Sequence, residues 1–210
     1  MNGMTSRLEA VRQIITSLKI ERIVETGTFR GTTAEWFAQF GLPFETVEIS
    51  ERYYTFSKER LRRFANAQIF FDASVPFLHK RLADRKVAPD TRQLFYLDSH
   101  WKKHLPLREE IELIFNNYTK SVVVIDDFEV ADDRGYSFDA YSDSDQLTMS
   151  YLATANVPRR MHYFYPSTRS DDETGMKRGW LVTTDDVDIA KLLDQIHLLR
   201  RATGQSKSQS

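Results

Sequence analysis

Short apolar runs alternate along residues 7–126 with longer segments in which apolar residues recur every three or four positions. Such spacing at Leu8, Val11, Ile14, Ile15 and Leu18 predicts an amphipathic first helix. By this criterion helices are predicted at 7–18, 32–40, 50–64, 75–82 and 107–118. The apolar runs predict five strands, at 22–26, 44–49, 68–71, 93–97 and 121–125. Strands that alternate with helices indicate right-handed crossovers and a parallel sheet.

The pattern changes after the fifth predicted strand. Residues 128–158 are polar, acidic and aromatic, with one predicted helix at 144–155. Two β-rich runs at 161–165 and 179–184 predict an antiparallel hairpin at one edge of the sheet, and a last helix is predicted at 187–200. The fold class is therefore α/β: a doubly wound, Rossmann-like, mostly parallel sheet of seven strands, the last pair forming the hairpin, with helices on both faces.

The length of 210 residues corresponds to about one domain. We expect that domain to span 1–203, with 128–158 as a lid or substrate insert and 204–210 as a disordered tail. The first helix and the aromatic-rich hairpin could pair with a second subunit in a homodimer, or pack on the sheet.

Composition narrows the classes of partner. The 29 basic and 30 acidic residues leave a net charge of -1, so there is no overall positive field for binding nucleic acid. Cysteine is absent, which excludes disulfides, thiolate zinc sites and cysteine nucleophiles. The apolar runs are far shorter than the ~20 residues of a membrane helix, and the N-terminus lacks a signal-peptide core. We therefore expect a cytoplasmic protein with neither a nucleic-acid nor a membrane partner.

A carboxylate stands at the end of each predicted parallel strand. The strands end in Glu25, Glu48, Asp72, Asp98 and the pair Asp126-Asp127. In an open α/β sheet these ends share one edge, where ligands bind. Each residue alone could be a helix cap or a loop residue, but carboxylates gathered at one edge repel each other, which favours a binding site.

The loop after the first strand discriminates between cofactors. Its sequence is Glu-Thr-Gly-Thr-Phe-Arg-Gly over 25–31, without the Gly-x-Gly-x-x-Gly that rests a pyrophosphate on a helix N-terminus. Glu25, two positions before Gly27, disfavours an anion and favours a cation or an α-amino group. An oxidoreductase with a nicotinamide cofactor is therefore a weaker hypothesis, and a non-catalytic cofactor-binding module is another alternative.

This loop, followed by Glu48 and Asp72, resembles the S-adenosylmethionine site of class I methyltransferases, over roughly residues 20–130. The form of the loop is similar to that of macrocin-type sugar O-methyltransferases and cephalosporin-hydroxylase-like proteins. The resemblance implies that Gly27 and Gly31 approach the methionine part, Glu48 holds the ribose diol, and Asp72 and Ser74 lie by the adenine. It implies a cofactor site formed by Glu25, Thr26, Gly27, Thr28, Gly31, Glu48, Asp72, Ser74 and Asp98.

The same resemblance implies a magnesium site. Macrocin-type and catechol-type O-methyltransferases carry an Asp after the fourth strand and an Asp-Asp or Asp-Asn pair after the fifth, which Asp98, Asp126 and Asp127 match. Oxygen ligands of this kind suit Mg²⁺. The ion would hold two substrate oxygens and lower the pKa of a hydroxyl. The implied activity is methyl transfer to a hydroxyl of a small-molecule or sugar-like acceptor, with catalysis at Asp98.

The sequence departs from that pattern at 98–101, Asp-Ser-His-Trp. His100 could be a catalytic base acting without a metal, because its ordinary pKa is near neutrality, or a loop residue bound to a main-chain carbonyl. Trp101 is expected to form a pocket wall. The basic pair Lys177-Arg178 is expected at a solvated edge.

Overall fold

An eight-stranded sheet forms the centre of the protein in the computed structural model, which describes residues 1–84, 86–100, 105–142 and 144–202. The strands lie in the order β3-β2-β1-β4-β5-β7-β6-β8. They are β1 Arg22–Thr26, β2 Phe44–Glu48, β3 Ala67–Phe71, β4 Gln93–Leu97, β5 Ser121–Asp126, β6 His162–Pro166, β7 Trp180–Thr184 and β8 Leu199–Arg201. The first five are mutually parallel, while β7 is antiparallel to β5 and β6, and β8 is antiparallel to β6.

Seven α-helices accompany the strands in the described part of the chain. They are α1 Thr5–Ser17, α2 Thr32–Ala38, α3 Glu51–Leu61, α4 Ser74–Ala83, α5 Leu107–Asn117, α6 Met149–Leu152 and α7 Val187–Leu193, with a short 3-10 turn at Ser170–Asp172. The predicted fold class is confirmed: the sheet is doubly wound and mostly parallel, and its antiparallel pair follows the parallel part. No described helix is long and apolar enough to cross a bilayer.

The strand count is eight rather than seven because the last predicted helix, 187–200, ends at Leu193. The chain turns there, with the Gln195 N–H donating to the Leu192 carbonyl, and Leu199–Arg201 then pairs with Pro166–Phe164 of β6. The new strand gives hydrogen-bond partners to main-chain groups of β6 that an edge strand would expose.

The predicted helix at 144–155 is also shorter, forming only at Met149–Leu152. The preceding residues pair across a tight turn instead: Tyr141 N–H donates to Asp145, and Leu147 N–H donates to Asp139. Main-chain groups committed to this turn cannot join an α-helix, so the helix starts only after Thr148, whose side chain accepts from Tyr151 N–H.

The core lies on both faces of the central strands. All residues of β4 and β5 are buried, as expected for parallel strands covered by helices on each side. The segment predicted as a lid, 128–158, contributes Phe128, Leu147 and Leu152 to this core, so part of it packs on the body. The predicted roles of Trp101 and of the tail 204–210 lie outside the described residues.

Candidate functional site

A cavity of about 530 Å³ lies at the carboxyl ends of the five parallel strands, where the strand order reverses between β1 and β4. Open α/β sheets bind ligands at this position. Seven of the residues predicted for the site line it: Gly27, Glu48, Asp72, Ser74, Asp98, His100 and Asp127. The other lining residues are Asn2, Phe29, Val47, Ile49, Ala73, Val75, Pro76, Ser99, Pro106, Asp139, Met176 and Arg178.

The glycine turn after β1 has a steric requirement at Gly27. Its φ is +87°, and a Cβ there would lie 2.1 Å from the carbonyl oxygen of Asp98. Any side chain would push the end of β1 away from the end of β4, so only glycine allows these two strand ends to meet. Gly31, at φ +71°, caps the N-terminus of α2 and packs against Ser57 of α3, outside the cavity lining.

Glu25, Thr26 and Thr28 lie behind the cavity lining rather than in it. The Glu25 carboxylate accepts from Thr46 Oγ1 at 2.6 Å, and the Thr46 and Thr28 hydroxyls are also 2.6 Å apart. Burial raises the pKa of Glu25 to about 8. The carboxyl group therefore holds its proton at neutral pH and supports the turn through hydrogen bonds.

Glu48 is fixed at the end of β2 by the main chain. Its Oε2 accepts from the Phe29 N–H and its Oε1 from the Ser50 N–H, each at 2.7 Å. Each carboxylate oxygen can accept further bonds, so the side chain presents a rigid pair of acceptors to the cavity.

Asp72 and Ser74 lie on the cavity wall after β3. Asp72 Oδ2 accepts from Lys80 Nζ at 2.6 Å, a bond that lowers the pKa of the carboxyl group, so it is ionised at neutral pH. Ser99 Oγ, after β4, is 3.3 Å from Ser74 Oγ and donates to Glu110 at 2.7 Å. The predicted adenine end of the cavity thus combines an ionised carboxylate with hydroxyl groups.

Asp126 is held on the core side of the sheet end, away from the cavity. Its carboxylate pairs with the buried guanidinium of Arg7 and accepts from Tyr96 Oη at 2.6 Å. Burial alone would raise the pKa of Asp126, but the charges of Arg7 and the N-terminus, with the hydrogen bonds from Tyr96 and the Asp127 N–H, together outweigh it and hold the pKa well below its usual range. Of the expected magnesium ligands Asp98, Asp126 and Asp127, the structure groups the ligand atoms of Asp98 and Asp127 with His100, while the Asp126 carboxylate is engaged by Arg7.

His100 takes the place expected for Asp126. Ligand atoms of Asp98, His100 and Asp127 all lie within 4.8 Å of one another, a grouping that could hold a metal ion. The His100 Nε2 is 3.1 Å from the main-chain carbonyl of Asp126, and its buried Nδ1 has no hydrogen-bond partner among the described residues. Burial lowers the pKa of His100. Because a carbonyl only accepts, Nε2 carries the proton, and neutral His100 has a lone pair on Nδ1.

The two aspartates of this group have raised pKa values. Burial, together with the carboxylates of Asp126 and Asp127, holds the pKa of Asp98 well above its usual range. Burial and the charge of Asp126 raise the pKa of Asp127 to about 6. Asp127 also has a φ of +54°, unusual for a residue other than glycine, and such backbone outliers concentrate at functional sites.

Arg178 and Asp139 are functional candidates that the sequence did not reveal. Arg178 was expected at a solvated edge, but its side chain is only 19% exposed; its Nε donates to Asp127 at 2.6 Å and its Nη2 pairs with Asp139. The predicted hairpin contained the necessary signal. A strand antiparallel to β5 begins where β5 ends, so the residues just before Trp180 must lie beside Asp126.

Comparison with known proteins identifies the fold. No protein-family model matches the chain, and no curated protein is significantly similar to it. An O-methyltransferase from Bacillus cereus in complex with S-adenosylhomocysteine is 15% identical, with a TM-score of 0.60 over 89% of this chain and 84% of that one. A methyltransferase from Podospora anserina, bound to S-adenosylhomocysteine, is 14% identical, with a TM-score of 0.54 over 88% and 80%.

An rRNA methylase from Streptococcus thermophilus is 14% identical, with a TM-score of 0.50 over 85% of this chain and 94% of that one. The structural neighbours therefore share an architecture while differing in the acceptor that their names state. This chain has the fold of class I S-adenosylmethionine-dependent methyltransferases.

Proposed function

We propose that the protein transfers a methyl group from S-adenosylmethionine to a hydroxyl of a small-molecule or sugar-like acceptor. The observation that carries the proposal is the cavity at the reversal of strand order, lined both by Glu48, whose carboxylate is fixed by the main chain, and by His100, whose Nδ1 has no hydrogen-bond partner among the described residues. Glu48 would accept hydrogen bonds from both ribose hydroxyls, since its two oxygens are already oriented by main-chain donors.

His100 is the proposed catalytic base. When bound, S-adenosylmethionine supplies an electrophilic methyl group, whose transfer needs mainly proximity and alignment. As the acceptor oxygen forms its bond to the methyl carbon and the bond from that carbon to sulfur breaks, the hydroxyl proton would pass to His100 Nδ1. The lowered pKa keeps the imidazole neutral at pH 7, so Nδ1 is ready to accept that proton.

Metal assistance is the second route that a specific observation supports. Two carboxylates and an imidazole within 4.8 Å of one another fit a divalent cation by donor type. The ion, when bound, would lower the pKa of the acceptor hydroxyl. With His100 as a ligand, the ion would occupy the Nδ1 lone pair, which could not then take a proton. The base and metal routes are therefore alternatives at one atom.

The volume and charge of the site support a small acceptor. A cavity of about 530 Å³ falls within the range of roughly 300–1,000 Å³ typical of small-molecule sites. The net charge of the whole chain is -1, without the basic surplus of proteins that bind nucleic acid. We propose that the protein acts in the cytoplasm on a small-molecule acceptor; the homodimer stays a prediction.

Titration of S-adenosylhomocysteine into the purified protein by calorimetry tests the cofactor. We expect micromolar binding that weakens at least about tenfold in Glu48→Ala, because an oriented pair of acceptors is lost. Glu51→Ala, an exposed glutamate three positions along, is the matched control and should bind as the wild type does. Absence of binding would contradict the proposal, and binding of NAD instead would support the oxidoreductase alternative.

A turnover assay then distinguishes a catalyst from a protein that only binds the cofactor. Formation of S-adenosylhomocysteine from S-adenosylmethionine is measured with a panel of catechols and sugars, with and without Mg²⁺. Turnover that survives EDTA and is lost in His100→Gln supports the base route. Binding without turnover of any acceptor supports a non-catalytic module.

A further inference from the structure

The cavity already contains a cation beside the group formed by Asp98, His100 and Asp127. The guanidinium of Arg178 lines the cavity and bridges two carboxylates, with Nε donating to Asp127 Oδ1 at 2.6 Å and Nη2 paired with Asp139. Asp127 is one of the three residues whose ligand atoms could hold a metal. The same oxygen, Asp127 Oδ1, also lies 3.4 Å from the Asn2 side-chain amide. A metal ion could bind Asp127 through Oδ1 only in competition with these donors.

The position of Arg178 is set by the main chain. The backbone of Arg178 bridges to Ser137, the N–H of the next residue, Gly179, donates to the Ser137 carbonyl, and β7 begins at Trp180, opposite Asp126 in β5. The side chain is mostly buried. The backbone of Arg178 is fixed by its neighbours and its guanidinium is paired with two carboxylates. The guanidinium is therefore not easily displaced, because a buried charge without a partner is costly.

The contacts of Arg178 also extend to the proposed base. Asp139, its second partner, accepts from Tyr141 Oη at 2.6 Å, and that oxygen lies 2.8 Å from the main-chain carbonyl of His100. The guanidinium and Tyr141 therefore share Asp139 as an acceptor, and Tyr141 lies against the backbone of His100.

We propose that Arg178 is the resident cation of the acceptor site and takes the place of a divalent metal ion. It pairs with Asp127 and Asp139, denies Asp127 Oδ1 to a metal and leaves His100 Nδ1 for the proton of the acceptor. The inference rests on the proposed methyl transfer for its meaning, and it selects the base route over the metal route at that site. It predicts that the wild-type protein binds divalent cations weakly and that removing Arg178 creates a tighter site.

The role of Arg178 can be tested without an acceptor by measuring Mn²⁺ binding. The bound fraction is given by the loss of the free-ion signal in electron paramagnetic resonance. We expect millimolar or weaker binding to the wild type and at least about tenfold tighter binding to Arg178→Met, the scale of effects around metal ligands. The gain should disappear in Arg178→Met combined with Asp127→Asn. Arg178→Lys, which keeps the charge, should stay weak.

Arg200→Met is the matched control, because it removes one positive charge from a surface pair with Asp132. It should bind Mn²⁺ as weakly as the wild type; an equal gain in this variant would overturn the proposal by showing a general charge effect. Micromolar binding of Mn²⁺ to the wild type, lost in Asp127→Asn, would also overturn it, and this measurement needs no Arg178 variant to fold.

Calorimetric titration of S-adenosylhomocysteine into each variant keeps the two proposals distinguishable. If S-adenosylhomocysteine binds to none of the proteins, the cofactor assignment fails, while the Mn²⁺ data still decide the role of Arg178. If it binds them all and Arg178→Met gains no affinity for Mn²⁺, the cofactor assignment stands and the role of Arg178 is wrong.

Discussion

His100 and Asp126 are joined through the main chain: the imidazole Nε2 lies 3.1 Å from the Asp126 carbonyl oxygen, while the Asp126 carboxylate faces the other way, toward Arg7. One residue of β5 thereby orients the proposed base with its backbone and anchors the core with its side chain. Sequence position alone cannot reveal such a division, because it depends on the direction in which each group points.

The first prediction concerns the tautomer of His100. Long-range nitrogen–proton NMR correlations should show the proton on Nε2, with a titration midpoint below the ordinary value of 6.5, since burial disfavours the charged ring. His100→Gln assigns the signal by removing it. A proton on Nδ1, or a midpoint above 6.5, would contradict the proposed base.

The buried pair of Arg7 and Asp126 predicts a large effect on stability. Arg7→Met leaves the carboxylate of Asp126 buried without its counter-ion, so the free energy of unfolding in urea should fall by about 3–5 kcal/mol. Arg12→Met, on the exposed face of the same helix, should change it by less than about 0.5 kcal/mol. Adding Asp126→Leu to Arg7→Met should recover part of the loss; no recovery would mean that the pair is not the cause.

Glu25 predicts how stability depends on pH. Its pKa is raised from 4.5 to about 8 in the folded protein, so the folded state keeps a proton that the unfolded state releases. The resulting stabilisation is complete below about pH 4.5 and is lost as the pH rises through about 8, at no more than about 1.4 kcal/mol per pH unit.

Urea unfolding at several pH values measures this contribution. The wild type should lose more stability than Glu25→Gln between pH 5 and 8, because the amide cannot ionise. Glu51→Gln, an exposed control, should follow the wild type. Equal slopes for the wild type and Glu25→Gln would show that Glu25 ionises normally.

Much of the fold could be predicted from the sequence because the signals were local. The runs that became β1 to β5 are short, apolar and separated by helical spacing, and their carboxyl ends must share an edge. The last helix and the helix at 144–155 were overestimated, since pairing of Leu199–Arg201 with β6 and of Leu147 with Asp139 overrides local propensity.

The site was predictable only in part. Residues that follow a strand directly, such as Glu48 and Asp98, could be placed because the strand determines where they go. The position of Asp126 could not be predicted in this way, because its carboxylate forms an ion pair with Arg7, which lies 119 residues earlier in the chain. Arg178 could have been placed from the predicted hairpin, because it directly precedes the strand antiparallel to β5, but its pairing with Asp139 depends on the tertiary structure.

The last prediction separates the steric role of Gly27 from its backbone conformation. Gly27 and Gly41 both have positive φ, at +87° and +71°, but a Cβ at Gly27 would lie 2.1 Å from the Asp98 carbonyl, whereas a Cβ at Gly41 meets nothing within 4 Å. Gly41→Ala should therefore cost only the conformational strain, about 1–2 kcal/mol in urea unfolding.

Gly27→Ala carries the same strain and also forces the ends of β1 and β4 apart. Its loss of stability should exceed that of Gly41→Ala by at least about 1 kcal/mol, in line with the cost of overpacking. Binding of S-adenosylhomocysteine should weaken in Gly27→Ala and stay unchanged in Gly41→Ala, because only Gly27 lines the cavity. Equal losses in both variants would mean that the strand ends can separate freely, and the close approach at Gly27 would then not shape the site.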